Sequence, residues 1–398
     1  MQSHSIYIHI PFCQHRCNYC DFNTYAGLEK LIPAYVQALQ REIFLIANTM
    51  EEKLPVHTVF FGGGTPSLLP ASALTQILHT LKANFAAQHD AEISLEANPG
   101  TLTENYLCEL RNMGINRLSL GMQSANPREL KFLERIHDYA DVIHAVQWAR
   151  RAGFDNLSLD LIFGLPEQRT KVWVESLKLA LELAPEHFSL YALTLEHGTP
   201  LGSWAARGLI PEPDPDLAAD MYELATEMLD VAGYQQYEIS NWTLASNVER
   251  RESPDLACLH NLQYWRNQPY LGLGAGAHGF ANGLRTVNVL SPKAYIQRLS
   301  TSNVQPATIF PRTPATIEAN SIDRDTEMRE TMFMGLRLTR EGVSDARFLA
   351  RFGSSMRQIF AQEIQQLLDW ELLMWENDTL HLTPRGRLLG NQVFMQFV

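Results

Sequence analysis

Three of the chain's five cysteines fall within eight positions near its N-terminus, as Cys13-x3-Cys17-x2-Cys20 in the stretch PFCQHRCNYCDFN. Thiols this close suit a metal centre. A disulfide framework needs an even set of cysteines and an oxidising compartment. A zinc knuckle is one candidate, completed by a ligand from elsewhere. A cubane [4Fe–4S] cluster is the other: each iron takes one thiolate, so three cysteines leave the fourth iron open to a small chelating ligand. Unrelated buried thiols are the plain alternative. His15 and Arg16 lie inside the motif, and their positive charge is expected to favour the thiolate form.

Other chemistry-bearing residues follow at intervals. GGGTP (62–66) has the glycines of a loop that brings backbone close to a ligand, and Gly63, Gly64 and Thr65 are expected to hydrogen-bond one. It lacks the Lys-Ser/Thr ending of a phosphate loop. Glu96 and Asp160 interrupt apolar runs, where an unpaired charge is costly. Gln123 and Arg135 are further polar candidates, with a surface or loop role as the alternative.

The elements that must position these residues read as strands alternating with helices. SIYIHI (5–10), HTVFF (57–61), EISLEA (92–97), NRLSLG (116–121), NLSLDLIFG (156–164) and HFSLYAL (187–193) are short, apolar and β-rich. Amphipathic segments at 33–49, 71–86, 103–112, 139–152 and 171–183 separate them. This alternation predicts parallel strands with crossover helices, in a barrel or a doubly wound sheet. The cysteines, GGGTP, Glu96 and Gln123 all fall at or just past strand C-terminal ends, with Asp160 on the fifth strand, which favours a complete or partial (β/α) barrel over 1–245. Segment 246–320, rich in Asn, Pro, Ser and Gly, is expected to connect it to a C-terminal domain at 321–398. There, helical patterns at 322–338 and 345–369, a hairpin at 372–383 and a final helix suggest an α+β, winged-helix-like module.

The cysteine triad after a first strand and GGGTP after a second resemble the radical S-adenosylmethionine (SAM) superfamily. With YIHIPFC, CNYCDFN, FFGGGTPS, LEANP, GMQS and LDLIFGLP, the chain is similar to the oxygen-independent coproporphyrinogen III oxidase group. Within it, the HemW-type haem chaperones match better, over nearly the whole chain. The resemblance implies a radical-SAM barrel and a C-terminal domain of that group. It implies a [4Fe–4S] cluster on Cys13, Cys17 and Cys20, with SAM on the open iron. Tyr7, Gly63 and Glu96 match contacts to that SAM. Tyr19, Gly64, Thr65, Gln123, Arg135 and Asp160 match contacts to a second SAM seen in the oxidases.

Two features separate the chain from the oxidases. Phe22 stands where they have a fourth cysteine, and the N-terminal arm that precedes their cluster motif has no counterpart before Cys13. The chaperone branch carries H-N-x-x-Y-W, here His260-Asn261-Leu262-Gln263-Tyr264-Trp265. His260 is then a candidate axial ligand to haem, with His278 and Cys258 as rivals and simple loop packing as the bland reading. The function implied is haem binding and delivery to haem-requiring proteins such as respiratory enzymes, with an electron donor for the cluster. The alternative is oxidative decarboxylation of coproporphyrinogen III, so whether the chain is an enzyme is open at this point.

Composition sets outer bounds. A net charge of −12 argues against nucleic-acid partners, and so does the C-terminal module, with nine Arg and no Lys against eleven acidic residues from 322 onward. No apolar run is long enough to span a membrane, no signal peptide is recognisable, and the isolated Cys108 and Cys258 fit a reducing cytoplasm. Radical-SAM modification of RNA is disfavoured on the same grounds.

Overall fold

The structure is a computed structural model and describes residues 3–245, 256–300 and 309–398. The chain forms two compact units, and both are discontinuous in sequence. One comprises Met1–Ala232 with Pro269–Asn320, the other Gly233–Gln268 with Ser321–Val398.

In the first unit six parallel strands pair in chain order. They are β1 (His4–Ile10), β2 (Pro55–Gly63), β3 (Ala86–Ala97), β4 (Arg117–Gln123), β5 (Leu157–Phe163) and β6 (His187–Ala192). A doubly wound sheet reverses its strand order at a switch point. No reversal occurs between β1 and β6, so the winding is one-way, as in a partial (β/α) barrel. The crossovers carry α1 (Ile32–Ala47), α2 (Ala71–Asn84), α3 (Glu104–Met113), α4 (Tyr139–Arg151) and α5 (Thr170–Glu182).

Local chemistry sets these helices. In α1 Tyr35, Val36, Leu39, Ile43 and Ile46 recur at helical spacing and are buried. Thr103 caps α3 by accepting from the Tyr106 N–H, and Gly114 ends it at φ +107°. Asp138 and Asp141 form a reciprocal capping box on α4.

Part of the segment expected to be a connection is built into this same sheet. β7 (Tyr270–Leu273) pairs in parallel with the free edge of β1, and β8 (His278–Ala281) and β9 (Leu284–Asn288) continue as an antiparallel meander. Such short, glycine-interrupted strands carry little periodicity of their own.

The second unit packs helices against a small three-stranded sheet. Helices Arg324–Gly335, Asp345–Phe352 and Ala361–Asp369 surround a core of Met332, Leu336, Phe348, Phe360, Leu367, Leu380 and Phe397. Strand Thr379–Leu382 lies between Val343–Ser344 and its hairpin partner Leu373–Glu376. The expected helix at 345–369 is broken, because Gly353 ends one helix at φ +65° and Ser355 caps the next. Helix Leu259–Trp265, which carries HNLQYW, belongs here: Leu262 packs with Tyr237, Ala257 and Leu338.

Candidate functional site

The site grows from the end of β1. Ile6, Ile8 and Ile10 are buried in the core, so Tyr7 and His9, at alternating positions, take the other face. His9 Nε2 lies 2.9 Å from the Asn23 carbonyl, which only accepts, so Nε2 carries the proton. Nδ1 then accepts from the Tyr7 hydroxyl at 3.0 Å. Burial holds the imidazole neutral by lowering its pKa. Asn23, three residues past Cys20, donates to the carbonyls of Ala275 (3.1 Å) and Leu290 (3.0 Å). The far end of the cysteine loop is thus tied both to β1 and to the returning segment.

Each of the three sulfurs has a polar neighbour from a different part of the chain. Thr65 Oγ1 donates to Cys13 Sγ at 3.6 Å, Arg135 Nη1 to Cys17 Sγ at 3.6 Å, and Thr24 Oγ1 lies 3.8 Å from Cys20 Sγ. Among the described residues no three His, Cys, Asp or Glu side chains converge as ligands of a single ion. Three thiolates on three separate irons of a cubane need not converge in that way.

Of the two residues expected to promote ionisation, Arg16 acts in that direction on Cys20 but is outweighed, and His15 is engaged elsewhere. His15 turns to Glu134 at 3.2 Å, and Arg16 donates to the Cys20 carbonyl at 3.1 Å. Burial dominates and pushes the Cys13 and Cys20 thiols up, against a small downward pull from Arg16 on Cys20. Ionisation would then be supplied by ligation itself, since a coordinating thiol loses its proton to the metal.

The glycine loop lies against this centre. Gly63 adopts φ +112°, and a Cβ there would meet the His9 ring at 2.4 Å. A Cβ on Gly64 would lie 2.6 Å from the Phe12 carbonyl and 3.0 Å from Cys13 Sγ. The three N–H groups expected to meet a ligand are taken within the protein: Gly63 donates to Glu96 Oε2 (3.0 Å), Gly64 to the Ile10 carbonyl (2.8 Å) and Thr65 to that of Phe12 (2.8 Å). What the loop supplies is closeness of backbone to Cys13 and Glu96.

Glu96 and Asp160 face one polar interior. Burial, with the Asp160 charge second, raises the Glu96 carboxyl to about 7. Asp160 is raised by burial and pulled back by serine hydroxyls, with Ser119 Oγ 2.9 Å from both of its oxygens and Ser158 Oγ at 3.1 Å. Parallel register places Glu96 beside Ser119, Ser119 beside Ser158, and Asp160 beside Ser189. Ser94 Oγ is buried there with no partner among the described residues. A lining of hydroxyls with an unsatisfied member suits a polar ligand rich in donors and acceptors.

At the end of β4 the backbone is re-aimed. The ladder to β5 slips between Leu120 and Gln123, and Gln123 takes φ +63°, a conformation non-glycine residues rarely hold. Gly121 makes room: a Cβ there would lie 2.9 Å from Gln123 Nε2 and 3.2 Å from Arg135 Nη2. Arg135 Nη2 donates to the Gly121 carbonyl at 2.9 Å, and the Tyr19 hydroxyl is its neighbour. Tyr19 itself packs on Leu133, Ile162 and Leu165.

Tyr7, Gly63, Gly64, Thr65, Glu96 and the cysteines are therefore linked by contacts, as are Tyr19, Arg135 and Cys17. Reading along the sequence missed His9, Asn23, Gly121, Ser119, Ser158 and Ser189. The serines left a trace, as lone hydroxyls at alternating positions of apolar strands.

His260 lies in the second unit. It is 2% exposed, and its Nε2 is 2.9 Å from the Tyr264 hydroxyl, with the two rings edge to face. Asn261 donates to the Tyr237 hydroxyl at 3.3 Å, and the Arg337 guanidinium sits 4.3 Å from the Trp265 ring centre. Cys258 is buried at the start of this helix, while His278 is exposed on β8.

A one-way α/β barrel with a three-cysteine loop after β1 and a glycine loop after β2 defines a radical SAM protein. Residues 7–180 match the Radical SAM superfamily, and residues 322–389 match the HemN C-terminal domain. The chain is 37% identical to the heme chaperone HemW of Bacillus subtilis over 99% of both chains. It is 39% identical to HemW of Escherichia coli over 74% of this chain and 75% of that one. The chain belongs to the HemW family. Among solved structures, coproporphyrinogen III oxidase (HemN) from Escherichia coli superposes with a TM-score of 0.82 at 25% identity, covering 99% of this chain and 90% of that one.

Proposed function

We propose that the chain is a haem chaperone. It binds haem, carries a [4Fe–4S] cluster on Cys13, Cys17 and Cys20 with SAM on the open iron, and passes haem to haem-requiring proteins such as respiratory enzymes in the cytoplasm. The observation that carries this reading is the identity to a heme chaperone across 99% of both chains, so that both units are shared. The absence of a membrane-spanning helix among the described residues is compatible with it.

The site supports the cofactor part. Three sulfurs on one short loop, each with a polar neighbour, suit a cluster. Glycine at 62 and 64 lets the loop backbone lie close against Glu96 and Cys13, which supports seating the methionine end of SAM beside them. Glu96 and the serine-lined interior offer acceptors and hydroxyls to the rest of it. When bound, SAM on a cluster reduced by a low-potential donor is a source of radical chemistry. The second SAM position, at Tyr19, Gly64, Thr65, Gln123, Arg135 and Asp160, belongs to the same proposal. For haem, His260 is the proposed ligand, and ligation through Nε2 requires the Tyr264 hydroxyl to give way.

The oxidase reading draws support from the superposition on coproporphyrinogen III oxidase. Phe22, exposed in the loop, takes the place of that group's fourth cysteine and counts against it. One comparison separates the two. Purified protein should bind haem at a defined stoichiometry with a distinct Soret band. It should give no protoporphyrinogen IX from coproporphyrinogen III with SAM and strong reductant. Sustained decarboxylation would overturn the chaperone reading.

A further inference from the structure

We propose that Arg135 is the charge partner of the Cys17 side of the cluster, placed to hold its reduction potential above the value the thiolates alone would set. The inference rests on the reading that Cys13, Cys17 and Cys20 hold a [4Fe–4S] cluster.

The three sulfurs are not treated alike. Cys13 and Cys20 meet threonine hydroxyls, with only a small pull from the Arg16 charge on Cys20, whereas Cys17 meets a guanidinium at 3.6 Å. A guanidinium stays charged at any pH the fold survives. Its orientation is fixed from the other side by the Gly121 carbonyl at 2.9 Å, in space that a Cβ on Gly121 would crowd. Arg135 makes no ion pair with a carboxylate among the described residues. The adjacent Glu134 turns away to His15. Arg135 Nε is shielded from water and has no hydrogen-bond partner among the described residues.

A charge withdrawn from water without a carboxylate is costly unless another anion offsets it. The anion within reach is the Cys17 thiolate and the cluster it would carry. One electron from a low-potential donor adds one negative charge to that cluster, and a fixed positive charge beside a ligand sulfur stabilises the reduced form. Arg135 thereby makes the cluster easier to reduce.

The test uses full-length protein with the cluster reconstituted anaerobically, iron being counted first, then a mediated redox titration with dithionite followed by EPR. Failure of wild-type protein to hold iron would defeat the cluster reading itself. With about four irons bound, Arg135→Gln should lower the reduced-to-oxidised ratio at the wild-type midpoint about tenfold, a shift of about 59 mV for one electron. Arg135→Lys, which keeps the charge, should recover most of it. An unchanged midpoint in Arg135→Gln with full iron content overturns the proposal. Should that variant not hold iron, hyperfine spectroscopy of wild-type protein grown on 15N-arginine decides. A guanidinium coupling that persists in Arg16→Gln supports the proposal, and its absence overturns it.

Discussion

Glu96 shows how much one side chain in this site depends on its surroundings. Its carboxyl is raised to about 7 by burial and by Asp160, while the Gly63 N–H pulls the other way. A carboxyl raised in the folded state adds stability while protonated, below the unfolded value of about 4.5. That contribution is lost as pH rises through the folded value near 7. Glu96→Gln keeps an oxygen for Gly63 and removes the titration. Thermal melts of cluster-free protein should therefore show the variant above wild type at pH 8, by at most on the order of 3 kcal/mol, with the gap closing towards pH 5. A gap independent of pH would mean that Glu96 does not titrate in this range.

At the scale of elements, one buried carboxylate fastens the returning segment to the barrel. Glu42 on α1 accepts from the Gly274 N–H (2.8 Å), the Asn288 amide (2.7 Å), and the hydroxyls of Tyr295 (2.6 Å) and Thr313 (3.1 Å). Tyr35, two turns earlier on α1, accepts from the Ala275 N–H and donates to the His9 carbonyl, both at 2.8 Å. Because Asn23 hangs from Ala275 and Leu290, loosening this knot should reach the cysteine loop. Glu42→Ala leaves four donors without an acceptor and should cost about 3–5 kcal/mol in denaturant unfolding. Glu42→Gln, which can still accept twice, should cost about 1–2 kcal/mol. Both should retain less iron after reconstitution, in that order. Full iron retention in Glu42→Ala would disconnect the segment from the loop.

This scale also marks where sequence reading stopped. β1 to β6 and α1 to α5 were legible because apolar runs, caps and glycines signal them locally. Cys13, Cys17, Cys20 and the glycine loop were legible because their chemistry lies in spacing. Glu42 was not, since an acid in an amphipathic helix looks like any other and its four donors come from residues 274 to 313. His9 and Asn23 escaped for the same reason. The break at Gly353 had a local signal, a glycine followed by serines, which the longer apolar period obscured.

At the scale of the whole molecule, the division of the chain argues against a simple truncation. The match to the Radical SAM superfamily ends at residue 180, which invites a shortened chain ending at Asn320. The second unit, however, also claims Gly233–Gln268. Leu262 loses Leu338, Trp265 loses Arg337, and Arg266 loses Glu341 when Ser321–Val398 is removed. Residues 1–320 should therefore bind the dye ANS and aggregate, whereas a variant that also lacks Gly233–Gln268, with the ends joined by a Gly/Ser linker, should behave better. A well-behaved, dye-free 1–320 chain would mean that Gly233–Gln268 stands without its partners.

The same division has a consequence on the ribosome. The HNLQYW helix leaves the exit tunnel before any of Pro269–Asn320, and Leu338 and Arg337, which complete the cover of Leu262 and Trp265, come later still. At about 5–20 residues per second, the helix waits for seconds with its apolar face only partly covered. Any slowing of translation across Pro269–Asn320 lengthens that wait, so the pace of synthesis there bears on how much of the second unit forms correctly.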